Sequence, residues 1–72
     1  MVKKHILKSS NLHYASYLPN RRLLLVRFKG GQAYAYGGVP VATWAGLLSA
    51  ASAGSYFSRA IKGGGYQFKR IA

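Results

Sequence analysis

Two kinds of side chain in this sequence suit a single chemistry. Arg21-Arg22, Arg27, Lys29 and Lys69-Arg70 are cations that can hold phosphate. Tyr34-Ala35-Tyr36 sets two aromatic rings two residues apart, the spacing that puts both on one face of a strand. Rings for bases beside cations for phosphates are what single-strand nucleic-acid readers use. Lys3, Lys4, Lys8, Arg59 and Lys62 complete the candidate phosphate-binding set.

The charge balance gives these residues their weight. Eleven lysines and arginines stand among 72 residues with no aspartate or glutamate, a formal net charge of +11. No side-chain carboxylate is available to neutralise any of them, so the field must be met from outside the chain. Nucleic acid is the first polyanion to consider. The basic residues are also segregated: seven fall in residues 1–29, none in 30–58 and four in 59–72.

The same absences remove other chemistry. Without Asp or Glu there is no paired-carboxylate hydrolysis, no acid-oriented catalytic histidine and no acidic calcium or magnesium site. Without cysteine there is no thiol nucleophile, disulfide or cysteine zinc site. His5 and His13 alone make a poor metal site, and the glycine runs lack the spacing of a nucleotide-phosphate loop. The chain reads as a non-enzyme with no cofactor and no metal. The uncharged block 30–58 is interrupted by Gly30-Gly31, Gly37-Gly38 and Pro40, so it does not read as a spanning helix. The apolar stretch near the N-terminus, Ile6-Leu7, is too short for a signal peptide, and a cytoplasmic location is expected.

The elements that must position the candidate residues can be read from periodicity. Residues 1–8 read as a basic N-terminal arm and 9–72 as a single domain. Residues 11–18 read as a strand with Leu12, Tyr14 and Leu18 on one side. Pro19-Asn20 marks a turn. Residues 22–29 form the clearest strand, with Leu24, Val26 and Phe28 as its core face. Gly30-Gly31 suits a hairpin, and 32–36 is the return strand. Pro40 opens a helix to Ala51, its inward stripe Val41, Trp44, Leu48 and Ala51. Ser52 ends that helix or caps a second over 54–62, with Phe57, Ala60 and Ile61 inward, and the three glycines from Gly63 stop it. The fold class is therefore α+β: a three-stranded antiparallel meander followed by two short helices, with a short C-terminal edge strand available at 66–71.

The hairpin register decides what the tyrosines do. A two-residue Gly30-Gly31 turn pairs Arg27 with Tyr34 and Leu25 with Tyr36. Directly opposed residues share a sheet face, so the rings then join Arg27 and Lys29 as a base-stacking platform. A three-residue loop opposes Tyr34 to Phe28 and Tyr36 to Val26, and the rings become core.

The order of signals resembles the KTSC domain family. The resemblance is carried by Ser9-Ser10-Asn11, Leu25-Val26-Arg27-Phe28, the glycine turn, Tyr34-Ala35-Tyr36, Val39-Pro40, the run from Ser52 to Phe57, and Ile61, over roughly residues 9–66. That family is named for its place at the C-terminus of some lysyl-tRNA synthetases and also occurs as stand-alone bacterial and phage proteins. The synthetase context implies RNA in preference to DNA. This chain departs from the family in charge: members carry acidic residues in the strands and helices, and here those positions are neutral or basic.

Three functions follow as expectations. The first is a small non-enzymatic nucleic-acid-binding protein. The alternative is a phage- or mobile-element-encoded effector that docks its cationic surface on an acidic host protein. The third, a cationic membrane-active peptide, fits the strand-turn-strand pattern poorly.

Overall fold

A computed structural model describes residues 4–7 and 9–72. It is an α+β fold in which one antiparallel sheet of five strands is covered on one face by helices. The strands are β1 (His5–Ile6), β2 (Leu12–Leu18), β3 (Leu23–Phe28), β4 (Ala33–Gly37) and β5 (Gln67–Arg70), paired in chain order. Between β4 and β5 lie α1 (Val41–Ser49) and α2 (Ala53–Tyr56), the latter continuing directly as a π-helical segment, Phe57–Lys62. The sheet is larger than the expected meander at both edges. On one edge β5 pairs with β4 where the alternation over 66–71 allowed it. On the other, His5 pairs with Ala15 and Ile6 with Tyr14, and Leu7 is buried, so part of the expected basic arm belongs to the sheet and core.

Tight turns fix the strand registers. After β2, the N–H of Arg21 donates to Leu18 O at 3.1 Å, with Pro19 first in the turn, and Arg22 takes a left-handed φ of 49°. The β3–β4 loop is Lys29-Gly30-Gly31: Phe28 N–H donates to Gln32 O at 2.8 Å, and Gly31 sits at φ 100°. A three-residue hairpin loop ends on a left-handed residue, which glycine adopts without penalty. Tyr34 consequently opposes Val26, and Tyr36 opposes Leu24.

This register corrects both expected pairings. Neither tyrosine lies beside Arg27, because the rings point to the helix side with Leu24 and Val26 while Arg27 points to the outer face. The three-residue alternative had the right face but the wrong partners, since Lys29, and not Gln32, enters the loop.

Strand β2 carries a second correction. A bulge between Leu12 and Tyr14 inserts His13 and reverses the alternation. Leu12 stays in the core, but Ala15 and Tyr17 replace Tyr14 and Leu18 as the inward residues. Helix α1 is rotated from its expected stripe as well. Leu47 is buried, and Trp44 stacks on Tyr17 with centroids 5.4 Å apart and planes at 14°. Val41 and Leu48 are left exposed. The second helix agrees more closely: Ser52 caps it, its Oγ accepting from Ser55 N–H at 3.3 Å, and Phe57 and Ile61 are buried.

The core therefore lies between the sheet and the helices, around Leu12, Leu24, Val26, Val39, Leu47 and Ile61. The Tyr17 hydroxyl donates to the buried carbonyl of Val39, joining β2 to the segment that enters α1. Among the described residues, no helix is long and apolar enough to cross a membrane.

Candidate nucleic-acid interface

The fold distributes the candidate cations around the domain. Arg21 and Arg22 are exposed in the β2–β3 turn, and Lys29 is exposed in the turn at the other end of β3. Arg59 and Lys62 project from the last turn of the π-helical segment. Lys69 and Arg70 are exposed on β5, where the alternation sends them to opposite faces. Lys3 and Lys8 lie outside the described residues.

Arg27 differs from the rest. It is half-buried on the outer face, its Nε donating to Tyr14 Oη at 2.9 Å and its Nη1 to Gly31 O at 2.8 Å. Lys4 Nζ stands 4.6 Å from the centroid of the same Tyr14 ring, and the Arg27 guanidinium 6.0 Å. One ring thus gathers two cations on the face no helix covers. The sequence reading missed Tyr14 as a surface residue because the bulge that turns it outward leaves no mark in the alternation.

The helix face holds a second feature. Tyr34 and Tyr36 line an open cleft of about 340 Å³ with Phe28, Phe57, Phe68, Gln32 and Lys62. Tyr36 forms its floor, only 4% exposed. Burial pushes the Tyr36 hydroxyl above its ordinary pKa, with the neighbouring Tyr34 adding to the effect. Phe68 lies opposite Tyr36 across the β4–β5 ladder and stacks on it, centroids 5.4 Å apart and planes at 28°. Arg70 lies opposite Tyr34 on the same face. Phe57 and Lys62 are the first and last residues of the π-helical segment, so that one element supplies both a wall and the cation of the cleft. The expected Tyr34–Tyr36 platform is thus replaced by a recess in which Tyr34 is half-buried and Phe68 is the exposed ring. Phe68 was legible only as part of an alternating edge strand.

The two serine-rich segments also meet. Ser9, Ser10 and Asn11 face Ser52, Gly54, Ser55, Ser58 and Arg59 across a polar depression of about 510 Å³. Much of this convergence serves packing. Ser9 Oγ accepts from the backbone N–H groups of Asn11 and Leu12, both at 3.1 Å, and Gly54 is small because a Cβ there would stand 2.9 Å from that oxygen.

The histidines are occupied by ring contacts, His5 edge-on to Trp44 at 5.3 Å and His13 edge-on to Tyr14 at 5.0 Å. Among the described residues, no three His, Cys, Asp or Glu side chains gather as a metal site would need.

A helix-covered antiparallel sheet with an acid-free, cation-bearing surface defines the class: a small basic α+β domain. The KTSC domain model matches residues 8–66, and the chain belongs to that family. It is 36% identical over 70 residues to an uncharacterized protein of Stutzerimonas stutzeri (strain A1501), covering 97% of this chain and 99% of that one. The crystal structure of a KTSC domain protein from Yersinia pestis superposes with a TM-score of 0.89 at 30% identity, each chain covered in full.

Proposed function

We propose that this domain binds nucleic acid through its phosphates and catalyses no reaction on it, with RNA ahead of DNA on the family's synthetase context alone. The observation that carries this reading is the charge: eleven basic residues and no side-chain carboxylate in the whole chain. Every described lysine and arginine is exposed except the half-buried Arg27, so folding leaves the field at the surface. The spread of cations over both faces and both ends of the sheet suits a ligand that is itself extended and uniformly charged. The test is binding of labelled single-stranded RNA, duplex RNA and duplex DNA at two salt concentrations. Steeply salt-dependent binding with a preference among the three supports the reading. Weak, equal binding that vanishes near physiological salt overturns it.

One observation favours a second reading, docking on an acidic host protein. Val41 and Leu48 leave an apolar strip on the exposed side of α1, 62% and 41% exposed. A cationic surface speeds encounter with an acidic partner, and an exposed apolar anchor holds it. A pull-down whose captured protein survives nuclease treatment distinguishes this reading from the first.

A further inference from the structure

We propose that the aromatic cleft between β4, β5 and the π-helical segment takes one unstacked base of a single strand, with Lys62 on an adjoining phosphate. This inference rests on the nucleic-acid reading above and assigns the base-contacting residues.

The first argument is the exposure of Phe68. A phenyl ring on an edge strand would ordinarily turn inward or be covered. Here it stacks on Tyr36 and yet remains 63% exposed. Tyr34, tilted against Phe68 with centroids 6.1 Å apart, extends the aromatic surface. Flat rings with free area at the mouth of a recess accept another flat ring, and base–aromatic stacking is the general means by which domains hold unpaired bases.

The second argument is polarity. Gln32 at the rim offers both a donor and an acceptor, as a base edge requires. Lys62 is the cation in the lining, and the sequence holds no side-chain carboxylate. Aromatic recesses can also bind ammonium groups, but those gain from negative surroundings. A chain of +11 with a lysine in the lining repels a cation and favours a neutral flat ring that carries a phosphate beside it.

The third argument is shape. The cleft volume, about 340 Å³, falls within the range of sites that enclose small ligands, roughly 300–1,000 Å³. The π-helical segment brings Phe57 and Lys62 to the same recess, and such helices are rare and frequent at functional sites. A base inside a duplex has no free face for this surface, so the occupant is single-stranded.

The experiment compares a labelled RNA strand of about ten nucleotides, within the site sizes of such domains, with an abasic strand of equal length and charge. Anisotropy at matched salt reads both affinities. The base-bearing strand should bind about 5- to 150-fold more tightly, the range one stacked base supplies. Phe68→Leu keeps apolar bulk on β5 and removes the stacking plane. It should abolish most of that preference and leave the abasic affinity unchanged, with circular dichroism confirming the fold. Equal binding of the two strands by the wild type overturns the cleft assignment while sparing the phosphate reading, as does a Phe68→Leu variant that keeps the full preference. Binding of neither strand overturns both.

Discussion

Phe68 of the last strand lies flat against Tyr36 of its neighbour, 5.4 Å between centroids, one ring open to solvent and the other sealed in the core. On the proposed reading, the pair divides stability from recognition. Tyr36 also meets Phe57 edge-on at 5.6 Å, so it ties the sheet to the helical layer. Tyr36→Ala should cost about 3–5 kcal/mol, as other large aromatic truncations do, enough to unfold much of a domain this small. Phe68→Ala removes a mostly exposed ring and should cost less than about 1 kcal/mol, since surface changes are usually mild. Urea unfolding of both variants checks the difference, and equal losses would contradict it.

The Tyr17 hydroxyl links β2 to the entrance to α1 by a buried hydrogen bond to the Val39 carbonyl. Tyr17→Phe keeps the ring on Trp44 but leaves the buried Val39 carbonyl without its donor. An unsatisfied buried acceptor costs about 1–3 kcal/mol. The unfolding midpoint should fall accordingly with an unchanged denaturant slope, and a midpoint equal to wild type would show that water replaces the bond.

Gly54 marks the contact between the two serine-rich segments. Gly54→Ala places a Cβ 2.9 Å from Ser9 Oγ, which already holds two backbone N–H groups. Moving that oxygen disturbs the entry to β2, and overpacking of this kind typically costs about 1–3 kcal/mol. Gly54→Ala should cost less in a Ser9→Ala background than in the wild type, because the blocking oxygen is gone while the loss of its two hydrogen bonds is common to both arms of the comparison. An equal cost in the two backgrounds would refute the contact.

Tyr36 also predicts an alkaline limb of stability. Its folded pKa is raised above 10.0, chiefly by burial, so the fold favours the neutral phenol. The stabilisation is therefore complete below about pH 10 and is lost as pH rises from there through the folded value. The comparison is with Tyr36→Phe, which keeps every other titratable group of the chain. Above pH 10 the wild type should lose stability faster than the variant, and parallel curves would show that the ring ionises without hindrance.

How much of this was legible in the sequence depended on whether a local pattern carried the information. Strand β3 was plain because Leu24, Val26 and Phe28 alternate without interruption, and the second helix was plain because Ser52, Phe57, Ile61 and three glycines mark its cap, face and stop. The β2 bulge at His13 was not legible, since an inserted residue looks like any other until its partner strand is known. That single insertion turned Tyr14 outward and Tyr17 inward. Strand β1 is two residues long, too short for any periodicity, and exists because Ala15 and Tyr14 offer it an edge. The inward face of α1 was missed by one position, Leu47 in place of Leu48, which only the placement of Trp44 on Tyr17 decides. The candidate cations were all visible as residues, but their distribution depended on strand parity. The cleft depended on a glycine turn read in two registers, neither of which placed Lys29 in the loop.

The measurement that tests the central claim most directly is anisotropy of labelled single-stranded RNA, duplex RNA and duplex DNA between 50 and 200 mM salt. With about six phosphates neutralised, duplex DNA affinity should fall roughly 10³-fold across that range, and single-stranded RNA affinity by less. The account predicts this slope together with a preference for the single strand. Weak, equal binding to all three that disappears by physiological salt would contradict it.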